Sequence, residues 1–129
     1  MKTAKVSAVL FVKDLQRVAA FYRDALGMTR TAGDEYHWAL ECCGFTLIVH
    51  QIPKHIAVEV TIEQPPERRV WGAIRLDFPV RDLARCRQLA TSLGGGIDAD
   101  MPSWADANTN LYLGYDPEGN QIGVSQQDY

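Results

Sequence analysis

The sequence predicts an α+β fold made of two tandem β-α-β-β-β modules, and three observations carry that reading. The segment Val12-Lys13-Asp14-Leu15-Gln16-Arg17 recurs as Val80-Arg81-Asp82-Leu83-Ala84-Arg85, at an offset of 68. The same offset carries Gly27 onto Gly95. In each half an apolar strand precedes the shared segment and a helical apolar stripe follows it. A chain of 129 residues is long enough to bury one core without staples. The expected organisation is module one over 1–52, a connector over 53–70 and module two over 71–129, together one structural domain.

The first strand is read at 6–12. Its seven-residue run stops at Lys13-Asp14, is far too short to cross a membrane, and is followed by no small-residue cleavage site. Asp14 is a helix cap, its carboxylate placed to accept from free backbone N–H groups. Leu15, Val18, Ala19, Tyr22 and Leu26 then share one helical face, and Gly27 ends it. Strands follow at 28–32, 35–43 and 45–51, broken by Gly33-Asp34 and Gly44. The second helix opens on Asp82, buries Leu83, Cys86, Leu89, Ala90 and Leu93, and ends at Gly94-Gly95-Gly96. Strands at 97–100, 110–115 and 121–126 complete the module, with Asp116-Pro117-Glu118-Gly119-Asn120 as a turn between the last two. The connector contains Pro53, Pro65 and Pro66. Its alternating Ile56, Val58, Val60 and Ile62 read as an extra strand, or as a short helix pairing Ile56 with Val60.

Composition narrows the function classes. Hydrophobic residues at 47% and charged residues at 22% are globular values. A net charge of −3, with 13 scattered Lys and Arg of which only Arg68-Arg69 are adjacent, supplies no basic stripe for nucleic acid. Three cysteines, odd in number and without C-x-x-C spacing, point to a cytoplasmic protein with reduced thiols. Cys42 and Cys43, neighbours on a strand, are expected on opposite faces as packed thiols rather than as a clamp for one ion.

The order and spacing of V-[KR]-D-L at each helix start, FYRDALGM closing the first helix and DPEGN before the last strand resemble the vicinal oxygen chelate superfamily. That group includes glyoxalase I, bleomycin-resistance proteins, extradiol dioxygenases and methylmalonyl-CoA epimerase, and the resemblance runs from Val6 to Gln126. It implies curled mixed sheets around a cup that holds the site, commonly in a homodimer. In metal-dependent members four side chains hold a divalent ion, one from the first and one from the fourth strand of each module. Counting from the capping Asp places Ser7 and Arg75 in the first-strand slots, and counting from the turn Asp places Gly123 in the last. The fourth strand of module one offers only His50. A hydroxyl, a guanidinium and a glycine do not suit a hard divalent ion, so neither the family's metal site nor any other cofactor is expected. The alternative is a rearranged site for Zn, Ni, Mn or Fe using His37, His50 and Glu41.

Strand alternation then sorts the cup lining. Ser7, Val9 and Phe11 share one face of the first strand, Arg75 and Asp77 of the fifth, and Gln121, Gly123 and Ser125 of the last. Arg75 has the fork to hold a ligand carboxylate or phosphate, or to pair internally with Asp77. His50 is the candidate general base, or a structural histidine. Trp38, Trp71 and Trp104, with Tyr36 and Tyr112, are candidate stacking walls, or core. Gly123 would leave room for a guest. Two functions follow: a metal-independent protein binding a small organic molecule in the cup, as in the bleomycin-resistance branch, or an enzyme of the lyase, epimerase or dioxygenase kind. A module without ligand would show no accessible cavity.

Overall fold

The computed structural model describes residues 5–127. Its first sheet holds β1 (Val6–Val12), β2 (Thr29–Gly33), β3 (His37–Cys42) and β4 (Phe45–Gln51) in the order β1-β4-β3-β2. The second repeats this topology with β5 (Leu76–Val80), β6 (Gly96–Ile97), β7 (Leu111–Tyr115) and β8 (Gln121–Gln126) in the order β5-β8-β7-β6. In each sheet the first and last strands are parallel and the remaining pairs antiparallel.

The repeated V-[KR]-D-L segment builds the same cap twice. Asp14 Oδ1 accepts from Arg17 N at 3.2 Å at the start of α1 (Leu15–Ala20), and Asp82 Oδ1 accepts from Arg85 N at 3.0 Å at the start of α3 (Leu83–Ser92). Helix α1 runs on into a π-helical turn, Phe21–Ala25, in which Leu26 N donates to Phe21 O. Its predicted apolar face, Leu15, Val18, Ala19, Tyr22 and Leu26, is fully buried. Together with Val12, Leu40, Leu47 and Val49 it forms one core with the inward face of the second sheet, Phe78, Val80, Ile122 and Val124.

The modules meet through their helices. The Phe21 ring lies so close to Gly95 that a Cβ there would sit 2.6 Å from Phe21 Cε2. Tyr22 and Phe78 bring their ring centroids to 5.7 Å. Glu118, buried in the turn before β8, accepts from Lys13 N at 2.8 and 3.0 Å and from Asp14 N at 2.8 Å, fastening that turn to the entry of α1.

Of the two readings left open for the connector, the structure has the short helix: a single turn, α2 (Lys54–Ala57), ends before Val60, Pro53 O accepts from both Ile56 N and Ala57 N, and Ile56 and Val58 are 45% and 78% exposed. Its alternating apolar residues therefore bury no common face. The strand expected over 97–100 shrinks to Gly96–Ile97, with one further bond from Asp98 N to Leu113 O before the chain turns away. No helix of the described residues is long and apolar enough to cross a membrane.

Candidate functional site

Opposed residues in neighbouring strands share a face. The β1–β4 and β3–β4 pairings therefore gather Ser7, Val9 and Phe11 with Thr46, Ile48 and His50, and with His37, Ala39 and Glu41, on the side of the first sheet away from the helices. Val9 and Phe11 are 48% and 65% exposed there, whereas Val12, Leu47 and Val49 on the other side are buried. In the second sheet the corresponding face carries Asp77, Gln121, Gly123 and Ser125 with Leu111, Leu113 and Tyr115.

Two expected wall residues lie on the wrong side. Trp38 pairs with Val49, so it faces the core at 5% exposure, with the Arg30 guanidinium 4.1 Å from its ring centroid. Tyr112 pairs with Val124 and packs against the core with Arg87 over its ring at 5.3 Å. Strand composition marked both as strand residues; the turn on each side decided which face they took. Trp71 and Trp104 are exposed, as is Tyr36.

Over the first sheet, β3 and β4 bring His37 and His50 directly opposite one another, with ring centroids 6.1 Å apart and planes 16° from parallel. Phe11 lies 5.7 Å from the His50 ring. His50 Nδ1 is 2.8 Å from Gln51 O, a carbonyl that can only accept, and His37 Nδ1 is 2.9 Å from Asp34 Oδ1. Both imidazoles thus carry their proton on Nδ1 when neutral and present Nε2 as an acceptor. Backbone donation from Tyr36 and His37 holds the Asp34 carboxyl below its ordinary range. The rings border a cavity of ≈ 1100 Å³ whose other walls include Tyr36, Ile52, Pro53, Lys54 and Val58. Glu41 does not join them. It sits four residues along β3 from His37, about 13 Å at strand rise, and is held by Lys5 and Thr46. The three-ligand alternative site is therefore not assembled.

The sequence reading grouped His37 and His50 as alternative ligands without deriving that they stand opposite one another, yet the signal was present. A two-residue turn at Cys43-Gly44 pairs Cys42 with Phe45, and counting outward from it brings His37 onto His50.

Over the second sheet, Arg75 lies just ahead of β5. Its Nε donates to Asp77 Oδ1 at 2.7 Å and its Nη2 to Asp77 Oδ2 at 3.0 Å, a bidentate pair that raises the arginine above its ordinary pKa. The Trp104 ring lies 5.4 Å from the guanidinium carbon. The room expected at Gly123 is filled: a Cβ there would collide with Asp77 Oδ1 and stand 2.8 Å from Leu111 Cδ1. A hollow of ≈ 260 Å³ remains beside the pair, lined by residues that include Asp77, Trp104, Leu111 and Ser125. Gln121 is engaged by the connector, accepting from Arg68 Nε at 2.8 Å and donating to Val70 O at 3.2 Å. Arg68 also grips Asp98 through both terminal nitrogens at 2.8 and 3.0 Å. Nothing in the spacing of the connector announced that it folds back onto this sheet.

The four slots that the resemblance assigns to metal ligands do not fit a divalent ion. Ser7 stands opposite Thr46, Arg75 is cationic and paired, and Gly123 has no side chain and is covered by Asp77. His50 stands opposite Phe11, four residues beyond Ser7. Among the described residues no three His, Cys, Asp or Glu side chains converge as a metal-binding group.

The sequence profile of the glyoxalase-like domain matches residues 7–125. Among solved structures, the chain is similar to a glyoxalase/bleomycin resistance protein from Albidiferax ferrireducens T118, at 18% identity and a TM-score of 0.61 over 95% of this chain and 98% of that one. An integron cassette protein from the mobile metagenome of V. cholerae is 24% identical, with a TM-score of 0.62 over 99% of this chain and 98% of the other. A glyoxalase-related enzyme from Fulvimarina pelagi is 18% identical, with a TM-score of 0.62 over 98% and 89%. No curated protein matches the chain.

Proposed function

This chain belongs to the glyoxalase-like domain family, and on that premise we propose that it binds a small organic molecule on the concave faces of its sheets, without the divalent metal of metal-dependent relatives. The observation that carries this reading is the ≈ 1100 Å³ hollow between the end of the first sheet and the connector, where Tyr36, Ile52, Pro53 and Val58 stand beside the fixed acceptors of His37 and His50 and the charged Lys13, Asp34, Glu35 and Lys54. Convergent polar groups beside apolar surface are what small-molecule sites use to fix and orient a guest. The ring planes and Nε2 acceptors favour a flat guest with hydroxyl or amino donors, and Lys13 and Lys54, set against Asp34 and Glu35, give the lining charges of both signs.

The cup is shared between two copies in this reading. The larger hollow draws its walls from the first sheet and connector, and the smaller one from the second module. Exposed Val9 and Phe11 on one sheet and exposed Trp104 and Ile74 by the other would be covered if the first sheet of one copy faced the second sheet of another. The free thiols suit a reducing compartment such as the cytoplasm.

A second reading, an acid–base enzyme, is favoured by one observation: His50 is oriented through Nδ1 and so offers Nε2 as a base toward the hollow.

Titration calorimetry against planar phenols, amines and carboxylates tests the binding reading, and light scattering the pairing. A guest bound by the wild type and weakened at least about tenfold by His50→Ala is expected. A panel without binders, together with an experimental structure whose hollow is filled by its own side chains, would overturn it. Stoichiometric Zn, Ni, Mn or Fe in tag-free protein, lost on His50→Ala, would overturn the metal-free part. Turnover of a bound guest, abolished by His50→Ala, would establish the enzyme.

A further inference from the structure

The tip of the β3–β4 hairpin lies outside the site described above and carries two thiols. Cys43 and Gly44 form its turn with φ of +56° and +78°, a pattern of two left-handed residues that normally selects asparagine and glycine. Cys43 is the non-glycine residue held there, and it is exposed. The turn also breaks the strand alternation that was expected to separate the two cysteines. Cys42 Sγ and Cys43 Sγ lie 2.9 Å apart. All three cysteines of the chain border one cleft of ≈ 680 Å³ between this hairpin tip and the start of α3.

We propose that Cys42 and Cys43 form a reversible vicinal disulfide, a two-electron redox site oxidised by hydroperoxides. The sulfur separation argues against a structural zinc clamp, because Zn–S bonds of about 2.3 Å would pinch the S–Zn–S angle to roughly 80°, far below tetrahedral. Exposure assigns the first step to Cys43. Its thiolate attacks one oxygen of hydrogen peroxide, the O–O bond breaks, and hydroxide leaves and takes up a proton as water. The sulfenic acid on Cys43 is then attacked by Cys42; the S–O bond breaks and the hydroxyl leaves with the Cys42 proton as a second water. Two thiols and one peroxide give one disulfide and two waters, with two electrons passing from sulfur to oxygen. Cys42 is suited to the resolving role, since burial and its neighbour push its thiol up to about 11 and leave it protonated until the sulfenic acid forms.

Reversibility follows from geometry. Adjacent Cα atoms are about 3.8 Å apart, short of the roughly 4.4–6.8 Å range of ordinary disulfides, so the eight-membered ring is strained and easily reduced. The left-handed turn brings the sulfurs together before oxidation and so lessens the closure the ring demands.

Intact-mass spectrometry of the full chain after hydrogen peroxide treatment tests this. The expected product has lost two hydrogens, maps to the peptide containing 42 and 43, persists in Cys86→Ala, and returns to the starting mass with dithiothreitol. Cys42→Ser should instead accumulate a dimedone-trappable sulfenic acid on Cys43. Three thiols still titratable after treatment, a disulfide between chains, or conversion of wild-type Cys43 to sulfinic acid as fast as in Cys42→Ser would each overturn the proposal. None of these readouts depends on a guest in the cup.

Discussion

Tyr22 of the first module donates its hydroxyl to Asp116 Oδ2 of the second at 2.8 Å, and both side chains are closed to solvent. Asp116 also accepts from Glu118 N at 2.9 Å, from Asn120 N at 3.1 Å and from Asn120 Nδ2 at 2.9 and 3.2 Å. Burial outweighs the pull of these donors and leaves the Asp116 carboxyl above its ordinary range. Burial and the nearby carboxylate both raise Tyr22. Each group is what makes the other tolerable in the core. Tyr22→Phe should therefore destabilise the fold by about 1–3 kcal/mol, the cost of leaving a buried acceptor short of a donor. Asp116→Asn should cost at least as much, because one amide edge must face donors. Urea unfolding followed by circular dichroism checks both, and a Tyr22→Phe midpoint equal to wild type would refute the pairing.

Glu118 is a second bolt between the modules, and its partners are backbone. It takes the Lys13 and Asp14 N–H groups at the entry of α1, where a helix has donors to spare. Glu118→Ala should cost about 2–4 kcal/mol, since it strands buried donors and removes a charge that the helix start favours. Glu118→Gln keeps one acceptor and should fall between. Amide exchange at Lys13 and Asp14, measured well below the melting temperature, should accelerate in the alanine variant. Unchanged exchange there would show that water replaces the carboxylate.

Gly123 permits Asp77 to lie flat across β8 and hold Arg75. Gly123→Ala should destabilise by about 1–3 kcal/mol through overpacking against Asp77 and Leu111. Asp77 is partly exposed and can swing outward, so much of that cost should vanish in an Asp77→Ala background. A double-mutant cycle measures the coupling; independent, additive effects would mean that the collision with Asp77 is relieved in some other way.

Much of the fold was legible because local chemistry and global topology agree. Asp14 and Asp82 advertise caps that both form, and the helical stripe from Leu15 to Leu26 is the stripe that is buried. Ser7, Val9 and Phe11 do share one face of β1, and Ala8, Leu10 and Val12 the other. Faces failed where a turn intervened. The positive φ of Cys43 brings together two sulfurs that a continuous strand would separate, and the bulge in β2 between Arg30 and Ala32 shifts pairing against β3. Trp38 and Tyr112 were placed by residue type rather than by counting from their hairpins. Contacts made by the connector were invisible for another reason: Arg68 reaches Asp98 and Gln121 only after a proline-rich segment has turned back, and no periodicity encodes where such a segment lands.

Cys86 gives a test by pH. It is 2% exposed among Val80, Leu83 and Ala90 in the core, and burial pushes its thiol from an ordinary 9.0 up to about 11. A group raised in the folded state contributes stability that is complete below the unfolded pKa and is lost as pH rises through the folded one. The loss should therefore start near pH 9, be nearly complete above pH 11, and amount to about 2–3 kcal/mol from this residue. Other groups titrate in that range, so the informative quantity is the difference between wild type and Cys86→Ala. At pH 8 the alanine variant should be the less stable one, because it loses buried volume in a way that does not depend on pH. By pH 11 the gap should close or reverse, as the variant has no thiolate to bury. Urea midpoints at pH 8, 9.5 and 11 measure the trend. A gap that stays constant would mean that the folded protein admits enough water to ionise Cys86 at its ordinary pKa.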